Sequence, residues 1–134
     1  MSHPTVPYYL WNHWYIAARS SRVKANEATA ITIMERRILL FRDDQGAVVA
    51  LADRCPHLGA ALSLGSVSGG QVACPFHGWK FDSEGSCVDI PALASSRERL
   101  SALRIHTYCS STLRPSGLVR LASGPICSVS LREP

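Results

Sequence analysis

The sequence has no hydrophobic run long enough to cross a membrane. A spanning helix needs about 18 consecutive apolar residues, and no stretch of the 134 residues reaches that length. The first residues also lack the basic patch and apolar segment that mark a secretory signal peptide. These absences predict a soluble, cytoplasmic protein that does not associate with membranes.

The sequence also has no strong excess of one sign of charge. The net charge is only +4, and the basic residues are scattered apart from the pair Arg36-Arg37. No basic patch interleaved with aromatic residues is present, so nucleic-acid binding is not predicted. We interpret the positive excess as a solvated face, with a docking surface for an acidic redox partner as the less favoured alternative.

The cysteines are too few and too widely spaced for a disulfide framework. There are five, of which two belong to the motif described next and three are Cys87, Cys109 and Cys127. An odd number of dispersed cysteines predicts free thiols, which fit a reducing cytoplasm. Cys87 is interpreted as a small buried hydrophobic residue.

The chemical content of the chain is concentrated between residues 55 and 79. Two short motifs there each supply one cysteine and one histidine, with sixteen residues between the first histidine and the second cysteine. The motifs are Cys55-Pro56-His57-Leu58-Gly59 and Cys74-Pro75-Phe76-His77-Gly78-Trp79. Thiolate and imidazole ligands suit zinc, iron and iron–sulfur clusters.

The order of the ligands separates these possibilities. A structural zinc site usually draws two cysteines from one short motif and two histidines from another, whereas each motif here mixes the two. The mixture suits two loops that each give one cysteine to one iron and one histidine to a second iron, as in a Rieske [2Fe–2S] centre. A structural zinc site remains the alternative. Gly59 and Gly78 fit tight loop bends, and Pro56 and Pro75 stiffen both loops.

The paired motif resembles the Rieske domain of the Rieske non-haem iron oxygenases. The opening Trp14-Tyr15-Ile16-Ala17-Ala18 and the later Phe81-Asp82-Ser83-Glu84-Gly85 resemble the same group. The resemblance implies one [2Fe–2S] cluster per chain, with Cys55 and Cys74 on a buried iron and His57 and His77 on the other. Leu58 stands where many of these oxygenases have arginine, which changes a contact on the exposed rim.

Short apolar strands separated by turn signals predict an all-β domain. The clearest strands are predicted at 30–34, 38–41, 47–52, 71–73, 103–108 and 117–122. The resemblance implies the Rieske fold, a β-sandwich base that carries a small cluster-binding subdomain. We expect this domain to span residues 12–122, with an N-terminal tail at 1–11 and a C-terminal tail at 123–134.

A catalytic iron is not predicted on this chain. In the oxygenases a second domain holds a mononuclear iron in a triad of two histidines and one carboxylate, but only His106 follows His77 here. The resemblance therefore implies an electron-transfer domain. It would take electrons from a reductase or ferredoxin and deliver them to an oxygenase iron centre on another chain or a missing domain. Leu58 and Trp79 are candidates for its docking rim, although core packing is favoured for Trp79.

Two further functions stay open. One alternative to an electron-transfer domain is a truncated remnant of an oxygenase subunit. The other, in a different class, is a structural zinc protein without redox activity. Respiratory Rieske proteins are a weaker match, because the positions of their additional loop cysteines hold Ala60 (or Ala61) and Phe76. Nitrite-reductase-associated Rieske proteins are disfavoured by the oxygenase-like opening.

Overall fold

The computed structural model of the protein describes residues 13–93, 100 and 103–122. Its regular secondary structure is almost entirely antiparallel strand, so the all-β prediction is confirmed. Its strands are β1 (Tyr15–Arg19), β2 (Thr29–Ile33), β3 (Arg36–Arg42), β4 (Val48–Ala52), β5 (Ser66–Ser68), β6 (Gln71–Ala73), β7 (Lys80–Phe81), β8 (Cys87–Asp89), β9 (Thr107–Leu113) and β10 (Leu118–Ala122).

Six strands form the base sheet, in the order β1-β10-β9-β4-β3-β2. The central strands β3 and β4 are apolar on both faces, because alternate residues of a strand point to opposite sides. Ile38 and Leu40 of β3 lie in one buried cluster with Val119 and Leu121 of β10. Val48 and Ala50 of β4, which lies between β9 and β3 in the sheet, belong to the same cluster and make it continuous across the base.

The opposite face of β3 and β4 carries the second sheet, which has the order β5-β6-β7-β8. Leu39, Phe41 and Leu51 from the base pack with Val72 and Phe81 from the small sheet in one apolar cluster. All five side chains are fully buried. The two motif segments flank β5 and β6: one follows β4, and the other joins β6 to β7. The core between the sheets therefore positions both motifs.

The predicted strand at 103–108 is wrong over most of its length. Its first residues pair with the turn between β7 and β8 and with the start of β8 instead of with the base sheet. The Cys87 amide donates to the Leu103 carbonyl at 2.9 Å, and the Ile105 amide donates to the Gly85 carbonyl at 2.8 Å. Because those backbone groups are already used, the regular strand β9 begins only afterwards.

The expectation that all cysteines are free is also wrong. Cys55, Cys74 and Cys87 are free and buried, but Cys109 on β9 is disulfide-bonded. Spacing along the sequence does not report which cysteines meet in space, and a disulfide requires only that two Cα atoms approach within about 7 Å. Cys127 lies outside the described residues.

The predicted tails at 1–11 and 123–134 lie outside the described residues, and the domain limits 12–122 remain a prediction. No helix in the described part of the chain has the length and apolar character that a membrane crossing requires.

Candidate metal centre

The two motif loops share one backbone design. In the first, the Gly59 amide donates to the Cys55 carbonyl at 2.8 Å, and the Cys55 amide donates to the Ala60 carbonyl at 2.8 Å. In the second, the Gly78 amide donates to the Cys74 carbonyl at 3.1 Å, and the Cys74 amide donates to the carbonyl of the following tryptophan at 2.8 Å. Each loop thus closes on its own cysteine, although one histidine is two residues from its cysteine and the other is three.

A glycine with positive φ closes each loop. Gly59 has φ +77° and Gly78 has φ +73°, a region that residues with a Cβ adopt only at a cost. The sequence prediction of tight bends at these two glycines is therefore confirmed.

The two motif cysteines lie together beneath the loops. Cys55 is 1% exposed and Cys74 is 5% exposed, and their thiols lie close enough to influence one another. Burial raises the pKa of the Cys55 thiol; the nearby Cys74 also raises it, while hydrogen bonds from the backbone of His57 and Leu58 lower it. Thiol pairs bind metals as thiolates, so metal binding at this pair would release protons.

The two motif histidines lie together at the surface. His57 and His77 are exposed, and their ring centroids are 4.8 Å apart with an interplanar angle of 69°. Trp79 stacks on His57 at 4.4 Å between centroids and only 8° between planes. Trp79 also packs against the core between the sheets, so the packing role that we favoured for it is confirmed and is combined with orientation of His57.

The four side chains therefore form a buried sulfur pair and an exposed nitrogen pair. Among residues 13–93, 100 and 103–122, no group of three or more His, Cys, Asp or Glu side chains is arranged to hold one metal ion. A tetrahedral zinc site would bring all four donors around one centre. Two separate pairs fit a two-iron cluster with sulfur ligands on one iron and nitrogen ligands on the other.

A buried carboxylate fastens the first loop. The side chain of Asp53 is 0% exposed. Its Oδ1 accepts from the Ser63 amide at 2.7 Å, and its Oδ2 accepts from the Ser63 hydroxyl at 2.7 Å and from Arg37 Nη2 at 3.2 Å. Asp53 and Ser63 thereby join the start of the loop to its end. Sequence analysis missed this role; an acidic residue directly after the apolar β4 was the only signal.

Apolar side chains surround the exposed histidines. Leu58 is 68% exposed, in agreement with the prediction that it lies on the rim. Phe76, which sequence analysis passed over, is 69% exposed and its ring lies 6.3 Å from that of His77.

His106 lies just before β9 against Tyr108, at 4.7 Å between ring centroids.

Comparison with known proteins decides the family. The model of the Rieske [2Fe–2S] domain matches residues 13–109, which include both motif loops. The chain belongs to the Rieske [2Fe–2S] domain family. Its cofactor is accordingly a Rieske-type [2Fe–2S] cluster, and the donor arrangement described above fits that group.

Curated relatives of this Rieske domain are much longer proteins. The chain is 42% identical over 98 residues to a 4beta-methylsterol monooxygenase of Methylococcus capsulatus, a match that covers 72% of this chain and 27% of the relative. It is 37% identical over 101 residues to the chloroplastic protein TIC 55 of Arabidopsis thaliana, covering 75% and 19% respectively. The chain thus spans about a quarter or less of these relatives.

Solved structures of Rieske oxygenases share the fold. Apo dicamba monooxygenase superposes with a TM-score of 0.77 at 31% identity, covering 92% of this chain and 36% of that protein. The terminal oxygenase of carbazole 1,9a-dioxygenase from Novosphingobium sp. KA1 gives 0.75 at 32% identity, covering 85% and 30%. The prediction of a Rieske fold of the oxygenase type is confirmed.

Proposed function

We propose that this Rieske domain is an electron-transfer component of a non-haem iron oxygenase system. It would receive electrons one at a time from a reductase or ferredoxin. It would deliver them to an oxygenase iron centre on another chain or on a further domain. The oxygenase relatives and neighbours support this assignment.

One observation carries the proposal: the sulfur donors are buried while the nitrogen donors are exposed and paired. We assign Cys55 and Cys74 as ligands of the inner iron and His57 and His77 as ligands of the outer iron. When bound, the [2Fe–2S] cluster supplies one-electron redox chemistry, with potentials of about −150 to +300 mV for Rieske centres.

The surrounding residues would hold this arrangement in place. The core between the sheets keeps water from Cys55 and Cys74. Trp79 fixes the plane of the His57 ring by stacking on it. His57 and His77 would present the accessible edge of the centre to a partner, because both are exposed.

The same geometry bears on the two alternative functions, a structural zinc protein and a remnant of an oxygenase subunit. A structural zinc site is disfavoured by the separation of the donors into two pairs. A remnant of an oxygenase subunit would have the same folded domain and the same ligands. The DNA sequence around the coding region discriminates here, since an adjoining frame for the iron-binding domain would favour the remnant and a separate oxygenase gene would favour a carrier.

We also propose that the protein resides in a reducing compartment such as the cytoplasm, because Cys55 and Cys74 must be available as thiols. Both are free. The disulfide at Cys109 argues in the other direction. Alkylation of free thiols in freshly lysed cells, followed by mass spectrometry, would determine the state of Cys109 in the compartment where the protein resides.

The first test is an EPR spectrum of the dithionite-reduced protein with iron and acid-labile sulfide measured on the same sample. We expect a Rieske signal of low average g and about two irons and two sulfides per chain. Cys55→Ala and Cys74→Ala should abolish the signal, whereas the matched control Cys87→Ala, which removes a buried thiol outside the two pairs, should keep it.

Two results would contradict the proposal. Zinc in place of iron would favour the structural protein, and robust hydroxylation by the purified chain with only a reductase and substrate would show that it is more than an electron carrier.

A further inference from the structure

A basic groove lies beside the first motif loop. It is a shallow cavity of about 520 Å³. Five of the residues that line it are used below: Arg36, Arg37, Asp53, Arg54 and Gly59. We refer to this surface as the basic groove.

The fold assembles the groove from charges that are separate in the sequence. The register of β3 against β4 places Ile38 opposite Ala52, so the start of β3 lies next to the end of β4. The Asp53 amide extends this pairing by donating to the Arg37 carbonyl at 3.1 Å. Arg36 and Arg37 are thereby brought to the segment that continues into the first motif loop.

Arg54 connects the groove with the loop itself. Its guanidinium lies against Gly59, so close that a Cβ at Gly59 would be 3.2 Å from Arg54 Nε. The same loop carries the exposed His57 and the 68%-exposed Leu58. A molecule bound in the basic groove would therefore contact the loop that displays His57.

The described residues that line the groove present positive charge to solvent. Asp53 is the one acidic residue among them, and its side chain is 0% exposed while that of its partner Arg37 is 60% exposed. The carboxylate is thus hidden beneath the guanidinium that it binds. Arg36 and Arg54 are exposed as well.

We propose that the basic groove is the docking surface for an acidic face of the electron-donating protein. This inference rests on the proposed electron-transfer function. Charge complementarity of this kind speeds association and selects the partner. A protein is favoured over a small anion because the groove is shallow, because Arg37 is already engaged by Asp53, and because an exposed apolar residue, Leu58, adjoins the charges, as at protein interfaces.

Binding of a small, acidic, plant-type [2Fe–2S] ferredoxin in its oxidised form tests the proposal. Its affinity for the cluster-loaded protein would be measured by calorimetry at low and high ionic strength. The test variant is R36E/R54E. The control K24E/R114E makes the same change in net charge at exposed positions at the other end of the base sheet, where Val23 and Gly46 are joined through Arg42.

At low ionic strength we expect R36E/R54E to weaken ferredoxin binding by about tenfold or more, while K24E/R114E stays within about twofold of the unmodified protein. Salt should weaken binding to the unmodified protein and to the control but have little further effect on R36E/R54E. The milder variant R36Q/R54Q should fall between them and keeps the test available if charge reversal perturbs the loop.

Three results would overturn the proposal. These are equal weakening by both double variants, no ferredoxin binding by the unmodified protein at low salt, and tight binding of inorganic phosphate that depends on Arg36 and Arg54 while ferredoxin binding does not. EPR spectra of the same samples keep the two hypotheses distinguishable. A missing Rieske signal contradicts the proposed function, whereas a normal signal with unaltered ferredoxin affinity in R36E/R54E contradicts the docking surface alone.

Discussion

Asp53 places a carboxyl group where water does not reach. A buried ionised carboxylate is costly unless it is paired and hydrogen-bonded. Here both oxygens are occupied, by the Ser63 amide, the Ser63 hydroxyl and Arg37. The carboxyl group is therefore fully hydrogen-bonded, and these bonds hold together the two ends of a loop that carries two of the proposed iron ligands.

Removal of the Ser63 hydroxyl should weaken the attachment of the end of the first motif loop to Asp53. A hydrogen bond to a charged group contributes about 1.5–3 kcal/mol, so Ser63→Ala should lower the melting temperature of the cluster-loaded protein by roughly 5–10 °C. Loss of the visible absorbance of the cluster on heating would report the transition. Ser68→Ala, at an exposed position of β5, is the control and should shift it by less than about 2 °C. Equal shifts in the two variants would show that the Ser63 hydroxyl has no special role.

The proposed ligands and the hydrogen bonds that hold their loop differ in how readily a sequence predicts them. Cys55, His57, Cys74 and His77 were predicted because paired thiol and imidazole groups have few structural uses in that spacing. The contact between Asp53 and Ser63 was not predicted, because it depends on the path of the loop between them. The basic groove escaped prediction for the same reason, since strand register and not sequence proximity brings Arg54 to Arg36.

At the level of the elements, the strands that pack on both faces were the most predictable. β3 and β4 are continuous apolar segments that separate into two buried clusters by alternation. Residues 103–105 alternate equally well but hydrogen-bond to Gly85, in the turn between β7 and β8, and to Cys87 at the start of β8. Alternation reports which side chains are buried, whereas the choice of backbone partner is settled by where the chain passes.

Gly65 joins the first motif loop to the small sheet. The position requires glycine because there is no space for a side chain. A Cβ at this position would overlap the backbone oxygen of Ala73, which directly precedes Cys74. Gly65→Ala should therefore cost about 3 kcal/mol or more and should reduce the yield of cluster-loaded protein. The control is Gly69→Ala: its φ of +58° imposes strain but nothing lies within 4 Å of the added methyl group, so we expect a loss of only about 1–2 kcal/mol.

Chemical unfolding of the two variants, together with iron content after purification, checks this prediction. The prediction is wrong if Gly65→Ala is as stable and as rich in iron as Gly69→Ala. The backbones at Gly65 and Ala73 could then move apart without loss of stability or of iron binding.

At the scale of the whole molecule, the cysteines belong to the core. Cys55 and Cys74 lie in the same buried cluster as Leu39 and Leu51 of the base and Val72 of the small sheet. The second cluster, on the opposite face of β3 and β4, contains none of the proposed ligands. Metal binding should therefore stabilise the small sheet more than the base, because binding energy at a site formed only on folding becomes folding energy.

Hydrogen exchange of the protein before and after removal of iron by a chelator tests whether metal binding stabilises the small sheet more than the base. Regions that open locally exchange faster than regions that open only on global unfolding. We expect amides of β5 to β8 and of both motif loops to exchange at least about tenfold faster without the cluster, a change of about 1.4 kcal/mol. Amides of β3 and β4 should change much less, because the second apolar cluster persists. A sample carried through the same treatment without chelator is the control. If β3 and β4 lose protection as fully as the small sheet does, the two sheets unfold as one unit and the base is not an independent scaffold for the metal centre.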